Sequence, residues 1–351
     1  MYLGAPIKSQ QKGETNKPNP KPASSYNLPR DIGPGLLKFC LTHSDSPNLQ
    51  DSQVPERDPK DYDWLRQAFE NLEDDAKRMK KINDVLADPQ STQHQIITAL
   101  EQLEFYIEDI DNSKDYIKIG GIPIIVELMK NEDDRIRAEA TSCVAILSQN
   151  EESIQAYLNS IGVLDLAINI LGREHDQKCR EKFLSLISSL IGNVDTLDQQ
   201  KADTVLKICI SYLAPSVDIM IPKPITGELT TYSVANSVSG MTKAVHILRK
   251  ILQGKPSLRL KGVEWGIVEA LVNLIKSYNN GNDQKDAHLT ILCEKCESTL
   301  LELSGNPHNK KQCIDLGLPA EIDKRLKKLM THPNENENEI EVLKNLKSKI
   351  K

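Results

Sequence analysis

The residues of this chain best suited to chemistry are two cysteines in the sequence Cys293-Glu-Lys-Cys296. A Cys-x-x-Cys pair binds zinc when two further ligands lie nearby, and the only candidates are His308 and Cys313. It exchanges disulfides when it follows a strand in a thioredoxin-like fold, but no strand is predicted before Cys293. The surrounding sequence predicts an amphipathic helix, which favours reduced thiols packed against a core.

The remaining motifs do not indicate catalysis. Gly120-Gly121 lacks the glycine spacing of a phosphate-binding loop and follows a predicted helix instead of a strand. The seven histidines show no metal-ligand spacing such as His-Glu-x-x-His. The sequence also has no Gly-x-Ser-x-Gly motif, which would mark a nucleophile. We therefore predict that the protein is not an enzyme, and that it has no catalytic residues, no metal site and no cofactor.

The composition narrows the classes of partner. The chain has 351 residues and a net charge of −6, whereas nucleic-acid-binding proteins usually carry an excess of basic residues. No apolar run is long enough to span a bilayer, and the N-terminal sequence MYLGAPIKSQ lacks the apolar core of a secretory signal. We expect a monomeric protein of the cytoplasm or the nucleus that binds neither nucleic acid nor membranes.

Predicted helices recur with a period of forty-odd residues. An Asn or Gly ends one helix, and about a dozen residues later a Gly opens an apolar run. The pairs are Asn150 and Gly162, Gly254 and Gly266, and Asn306 and Gly317. A helical repeat of this length is typical of armadillo and HEAT solenoids, which offer a binding surface instead of a catalytic cleft. We predict an all-α fold, a right-handed armadillo-repeat solenoid with an N-terminal helical extension.

The predicted organisation has four parts. The chain begins with a polar disordered tail, continues with a helical region and linker, then with the armadillo repeats, and ends in a polar tail with a short helix. These parts are residues 1–27, 28–92, 93–330 and 331–351. Residues 215–232 contain three prolines and no helical period, which predicts a loop insertion in the fourth repeat. The Lys-rich segment Pro319–Met330 is predicted to end the stack as a polar cap.

Long helices are predicted at Gln93–Ile107 and Val234–Gln253, and a short helix at Val163–Leu171. The long helix of each repeat would line the groove of such a stack. Aligning the repeats places Thr98, Glu139, Lys182, Lys243 and Lys295 at equivalent positions. These residues form a ladder that is neutral or acidic at one end and basic at the other. One interpretation is a solvated helix face. The other is electrostatic recognition of a large partner whose surface carries the opposite gradient.

The acidic corner Glu108–Asp115 would extend the groove at its N-terminal end. It also admits two interpretations. The first is a contribution to partner binding. The second is helix capping, in which Asp111 or Asn112 accepts hydrogen bonds from the free backbone N–H groups of the next helix.

Several segments of the chain are similar to those of a known family. They are Leu36–Cys40 with the predicted helix Asp63–Leu86, the corner Glu108–Tyr116, the helix that runs from Arg135 to Asn150, and Val238–Gly254 followed by Gly266. The chain resembles, over roughly residues 30–330, the armadillo-type nucleotide exchange factors of the heat-shock protein 70 chaperone. Ser113 stands where this family often has Ala, and residues 215–232 look like an extra insertion.

The resemblance implies a function. Such a protein binds the ATPase domain of a cytosolic heat-shock protein 70 through its concave face and promotes ADP release. Asp111, Asn112, Ser113 and Lys243 match family positions tied to chaperone binding. Arg137, Glu139 and Lys182 are candidates from their places in the groove. The alternative is an armadillo scaffold that binds peptide or protein partners without any effect on nucleotide exchange. We also expect Lys243→Glu with Ser113→Arg to abolish chaperone binding while thermal stability stays nearly unchanged.

Overall fold

The computed structural model describes residues 74–149, 151–192, 194, 197–222, 228–281 and 286–351. Asp75–Lys351 form one compact unit. The predicted tail at 1–27, the segment Leu36–Cys40 and most of the helical region at 28–92 lie outside the described residues, as does Asn150.

The described residues contain sixteen helices and two strands. The helices that precede the strands are α1 (Asp75–Ala87), α2 (Gln93–Ile107), α3 (Ile110–Lys118), α4 (Ile122–Leu128), α5 (Asp134–Leu147), α6 (Glu152–Ser160), α7 (Val163–Leu171), α8 (Gln177–Leu190) and α9 (Gln199–Tyr212). The strands are β1 (Ser216–Pro222) and β2 (Leu229–Ala235). The helices that follow are α10 (Val238–Gly254), α11 (Leu258–Glu264), α12 (Ile267–Asn280), α13 (Ala287–Leu303), α14 (Pro307–Asp315), α15 (Leu318–Leu329) and α16 (Glu337–Ile350).

The long helices α2, α5, α8, α10, α13 and α16 pack side by side in chain order. Contacts among the first three helices of this row repeat at a nearly constant sequence separation. Cys143 Sγ on α5 donates to the Leu100 carbonyl on α2, 43 residues earlier. Lys182 Nζ on α8 donates to Ser142 Oγ on α5, 40 residues earlier, at 2.9 Å. This spacing agrees with the period of forty-odd residues in the sequence.

The core follows from helical periodicity and from glycine at the corners. On α5, Ala140, Val144 and Leu147 recur at the spacing of one helix face and are buried between neighbouring helices. Gly162 and Gly266 precede α7 and α12 with φ angles of 82° and 89°. A side chain at such a left-handed position costs about 1–2 kcal/mol, so glycine suits the sharp corner between two helices of a repeat.

The predicted loop at 215–232 is wrong, because strands β1 and β2 form an antiparallel hairpin there. Ser216 lies opposite Ala235, and Pro222 lies opposite Leu229. Directly opposed residues share a face of the sheet, so Val217 and Val234 form one pair and Ile219 and Tyr232 another. This alternation of apolar residues along both strands is the period-two pattern of a β-hairpin.

The C-terminal segment extends the stack instead of trailing from it as a polar tail. Helix α16 packs against α13, α14 and α15, so the stack does not end at the predicted cap, Pro319–Met330. The buried apolar residues of α16 recur at helical spacing: they are Ile340, Leu343, Leu346 and Ile350. Arg325 Nε on α15 also donates to Glu339 Oε1 on α16 at 2.6 Å. The polar residues before this helix led to the prediction of a polar tail, and the apolar face of the helix was not recognised.

The architecture confirms the all-α prediction, since the hairpin is the only sheet among the described residues. Within this part of the chain, no single helix is long and apolar enough to cross a membrane. Helices α6 and α7 reach that length and apolarity only when they are taken together, across a bend of 72°.

Candidate partner-binding groove

A recess of about 720 Å³ opens on the row of long helices. We call it the basic recess. Its lining includes Glu152 on α6, Ser188 on α8, three titratable side chains of α10 and Lys295 on α13. The α10 side chains are Lys243, His246 and Lys250, whose spacing of three and four residues places them on one helix face.

The lysines of this recess carry charge that the described residues do not balance. Lys243 Nζ donates to the Glu181 carbonyl at 3.2 Å, and Lys250 Nζ donates to the Ser188 carbonyl at 3.4 Å. Burial lowers the pKa of both lysines, and for Lys243 this effect is opposed by the carboxylate of Glu181 and reinforced by Lys182. Neither ammonium forms an ion pair with a carboxylate of the described residues. The recess is therefore a partly desolvated cationic surface.

The lowered pKa of His246 is a second sign of the surplus of positive charge in the recess. His246 lies among cations, and its pKa is lowered first by desolvation and then by Lys295, Lys250 and Arg249. Arg249 itself is paired, because its Nε donates to Glu302 Oε1 at 2.6 Å. The lysines of the recess have no comparable carboxylate.

The acidic residue of the predicted ladder, Glu139, is buried and paired. Glu139 is only 8% exposed. Its Oε1 accepts a hydrogen bond from Lys178 Nζ at 2.7 Å, and this bond raises the pKa of the lysine. Glu139 therefore joins α5 to α8 instead of presenting a free carboxylate. Lys182 points to the same α5 surface through its bond to Ser142 Oγ.

Arg137 serves mainly to connect two repeats. Its guanidinium donates to both carboxylate oxygens of Glu174 at 2.7 and 2.9 Å, and also to the carbonyls of Asn131 and Glu132. Burial opposes ionisation of Glu174, but the bonds from Arg137 and from the Asp176 amide leave its pKa below the ordinary value. With side chains 13% and 2% exposed, this pair has little surface left for a partner.

The acidic corner owes its geometry to a residue other than those predicted. Asp109 is the N-cap of α3, and its Oδ1 accepts from the amides of Asp111 and Asn112 at 2.8 and 3.2 Å. The expectation that Asp111 or Asn112 caps this helix is therefore wrong. Asn112 Nδ2 instead donates to the Tyr106 carbonyl at 3.0 Å and to Asp75 Oδ2 at 3.3 Å. Asp111 is exposed on the first turn.

Ser113 is a buried residue and not a surface contact. It is 5% exposed, and its hydroxyl donates to the Ile107 carbonyl at 2.6 Å. An arginine at this position would have to bury a charged side chain or displace α3. The structure thus contradicts the expectation that Ser113→Arg leaves thermal stability nearly unchanged.

The structure divides the candidate residues into three groups. Asp111, Asn112 and Ser113 lie at the start of α3, Arg137 and Glu139 lie at the α5–α8 contact, and Lys182 and Lys243 adjoin the basic recess. Sequence reasoning missed His246 and Lys250. The signal was present in the sequence, because both follow Lys243 at helical spacing, but equivalence between repeats selects only one residue from each helix.

Comparison with known proteins is consistent with this geometry. The family model of the nucleotide exchange factor Fes1 matches residues 34–116, a range that includes α1 to α3 up to Tyr116. The chain is 26% identical to the Hsp70 nucleotide exchange factor FES1 of Coccidioides immitis over 45% of this chain and 76% of that protein. It is 23% identical to Hsp70-binding protein 1 of Macaca fascicularis over 93% of this chain and 84% of that protein.

The chain resembles the Hsp70 nucleotide exchange factors. The similarity inferred from the corner and its neighbouring helices is thereby confirmed. Solved structures confirm the fold as well: a designed armadillo repeat protein superposes with a TM-score of 0.55 at 14% identity. That comparison covers 78% of this chain and all of the designed protein.

Proposed function

We propose that this protein is a co-chaperone that promotes nucleotide exchange on a heat-shock protein 70. The observation that carries this proposal is the agreement between two comparisons. The Fes1 exchange-factor model matches the N-terminal region, and a protein named for binding Hsp70 matches nearly the whole chain. The partner is a chaperone of the cytoplasm or the nucleus, a reducing setting that suits the six buried free cysteines of the described residues.

The row of long helices is the surface that we assign to the chaperone's ATPase domain. Lys182 and Lys243 supply positive charge at its centre, where burial strengthens electrostatic contacts. Asp111 supplies an exposed carboxylate near the N-terminal end. A partner with acidic groups opposite the lysines would be both attracted and oriented by this arrangement.

The proposed mechanism is a shift of population. The protein, acting as a monomer, binds the chaperone more tightly when its lobes are arranged so that ADP is held weakly, and so favours that arrangement. A tenfold difference in affinity between the two arrangements corresponds to about 1.4 kcal/mol. The side chains of this protein need to supply shape and charge only, because no bond is made or broken by the chain.

The test is the release of fluorescent ADP from a purified cytosolic heat-shock protein 70, followed by stopped flow. Addition of this protein at micromolar concentration should accelerate release. Lys243→Glu should reduce the acceleration by about tenfold or more, because it reverses a half-buried charge at the contact. Lys311→Glu is the matched control, since Lys311 lies exposed on α14, outside the row.

Two results would count against the proposal. If the wild-type protein binds the chaperone and leaves the ADP release rate unchanged, it is a scaffold and not an exchange factor. If Lys243→Glu and Lys311→Glu behave alike, the chaperone does not contact the row of long helices near Lys243. Binding of each variant, measured separately by calorimetry, distinguishes these two failures.

A further inference from the structure

The basic recess contains more positive charge than its surroundings neutralise. Lys243, Lys250 and Lys295 line it, and Lys182 lies close enough to lower the pKa of Lys243. Glu152 is the one carboxylate side chain in the described lining. This local surplus occurs in a chain whose net charge is −6, so it does not reflect a generally basic surface.

Several lysines elsewhere in the stack form ion pairs with carboxylates. Lys178, Lys201 and Lys261 each lie within 3.0 Å of a carboxylate oxygen on a neighbouring helix or turn. The half-buried Lys243 and Lys250 contact only backbone carbonyls. Partly buried charges are costly unless they are paired, which indicates that the partner of these two lysines comes from outside the described chain.

The hydroxyl groups around the lysines do not supply that partner. Ser185 and Thr242 donate to carbonyls of their own helices, namely those of Glu181 and Val238. The carboxylate of Glu181 attracts Lys243 from outside the lining, so it offsets one of the lysine charges but not those of Lys250, Lys295 and Lys182 as well. The described lining therefore leaves a net demand for negative charge.

Size and residue type indicate which anion would satisfy this demand. The volume of about 720 Å³ lies within the range of small-molecule sites, roughly 300–1,000 Å³. The cations lining the recess are lysines, and the described lining contains no arginine. Lysines bind phosphates as point charges, without the fixed planar geometry of an arginine fork. Several such charges in one recess favour a ligand with more than one phosphate.

We propose that the basic recess is a binding site for a small molecule that carries two or more phosphate groups. Its phosphates lie against Lys243, Lys250 and Lys295, and displace water from a surface that is already half-buried. Because Lys243 also belongs to the surface assigned to the chaperone, the bound anion competes with that partner. The competition rests on the proposed function, but the site itself does not.

Isothermal titration calorimetry with inorganic tripolyphosphate, without Mg²⁺ and at physiological salt, tests the site directly. The variant of the basic recess, which we call the groove variant, is Lys250→Gln with Lys295→Gln. The matched control, Lys311→Gln with Lys327→Gln, removes the same charge from exposed positions outside the recess. We expect one ion per chain, with an affinity reduced about tenfold or more in the groove variant and by less than about twofold in the control.

Three results would overturn the proposal. The first is no binding at physiological salt, or several weak sites per chain. The second is an equal loss of affinity in the groove and control variants when thermal melting shows that both are folded. The third is tighter binding of a decaglutamate peptide than of tripolyphosphate, because the recess would then serve the carboxylates of a protein.

A second measurement separates this proposal from the proposed function. Tripolyphosphate should reduce the acceleration of ADP release by the wild-type protein and have less effect on whatever acceleration the groove variant retains, which controls for sequestration of Mg²⁺. If the wild-type protein fails to accelerate release at all, the exchange-factor proposal fails, and the calorimetric result still decides whether the site exists. If tripolyphosphate binds but leaves the acceleration unchanged, competition is refuted.

Discussion

Replacement of Glu297 by Gln should stabilise the protein, and the gain should grow as the pH rises. Glu297 lies on α13 and is 1% exposed. Cys293 Sγ donates to its Oε1 at 3.4 Å, while its Oε2 has no hydrogen-bond partner among the described residues. Burial, reinforced by Glu339 and opposed by Arg325, raises the pKa of Glu297 to about 8.

The size of the effect follows from proton linkage. The ordinary pKa of this carboxyl is 4.5, so between pH 4.5 and about 8 the folded chain holds a proton that the unfolded chain has released. The contribution to the free energy of unfolding is therefore full below pH 4.5 and falls by about 1.4 kcal/mol for each pH unit above it. The accumulated loss is about 3 kcal/mol at pH 7 and about 5 kcal/mol at pH 8.

A neutral Gln removes this pH-dependent loss, and all other groups titrate equally in the two proteins. The difference in melting temperature should be small at pH 5 and rise to roughly 5–10 °C at pH 8, measured by thermal denaturation at a fixed scan rate. Glu264→Gln, an exposed control on α11, should show no such trend. A difference that does not change with pH, or a Gln variant that melts below wild type at pH 8, would refute the reasoning.

Substitutions at three further positions test local features of the fold by urea denaturation. Arg137→Ala removes the guanidinium partner of the buried Glu174, which keeps only the backbone amides of His175 and Asp176, and should cost about 3–5 kcal/mol; a loss below 1 kcal/mol would mean that water replaces the guanidinium. Ser113→Arg should cost at least about 2 kcal/mol, and Ser113→Ala about 1 kcal/mol, with equal losses contradicting the burial argument. Gly162→Ala should cost about 1–2 kcal/mol because φ is 82°, and an unchanged stability would show that the corner relaxes.

The helices whose ends carry local signals could be predicted closely from the sequence. Helix α2 begins and ends where predicted, at Gln93 and Ile107. Its start is set by a capping box, in which Thr92 Oγ1 accepts from the Gln95 amide and Gln95 Oε1 accepts from the Thr92 amide. Helix α7 also matches its predicted range, because Gly162 marks the corner before it. Such signals lie within a few residues and need no tertiary contact.

Elements that depend on distant contacts were harder to predict. The helix predicted to start at Val234 begins at Val238, because Ser237 Oγ accepts from the Gly240 amide while Val234 pairs with Val217 in the hairpin. The apolar residues of this segment fit either structure. Ser113 was a candidate because it matches a family position tied to chaperone binding, and that match does not reveal whether the side chain is buried.

The row of long helices remains continuous across the inserted hairpin, and this continuity is what forms the basic recess. Contacts between α8 and α10 occur at a separation of 62 residues, whereas the α5–α8 contact between Ser142 and Lys182 spans 40. The difference of about 20 residues matches the length of the hairpin. Asn236 closes the base of the hairpin. Its backbone amide donates to the Pro215 carbonyl at 2.9 Å, and its side-chain Nδ2 donates to the Ala214 carbonyl at 2.9 Å. The inserted hairpin therefore does not interrupt the row of long helices. Helix α10 places Lys243 and Lys250 against α8, as it would in a repeat without the insertion.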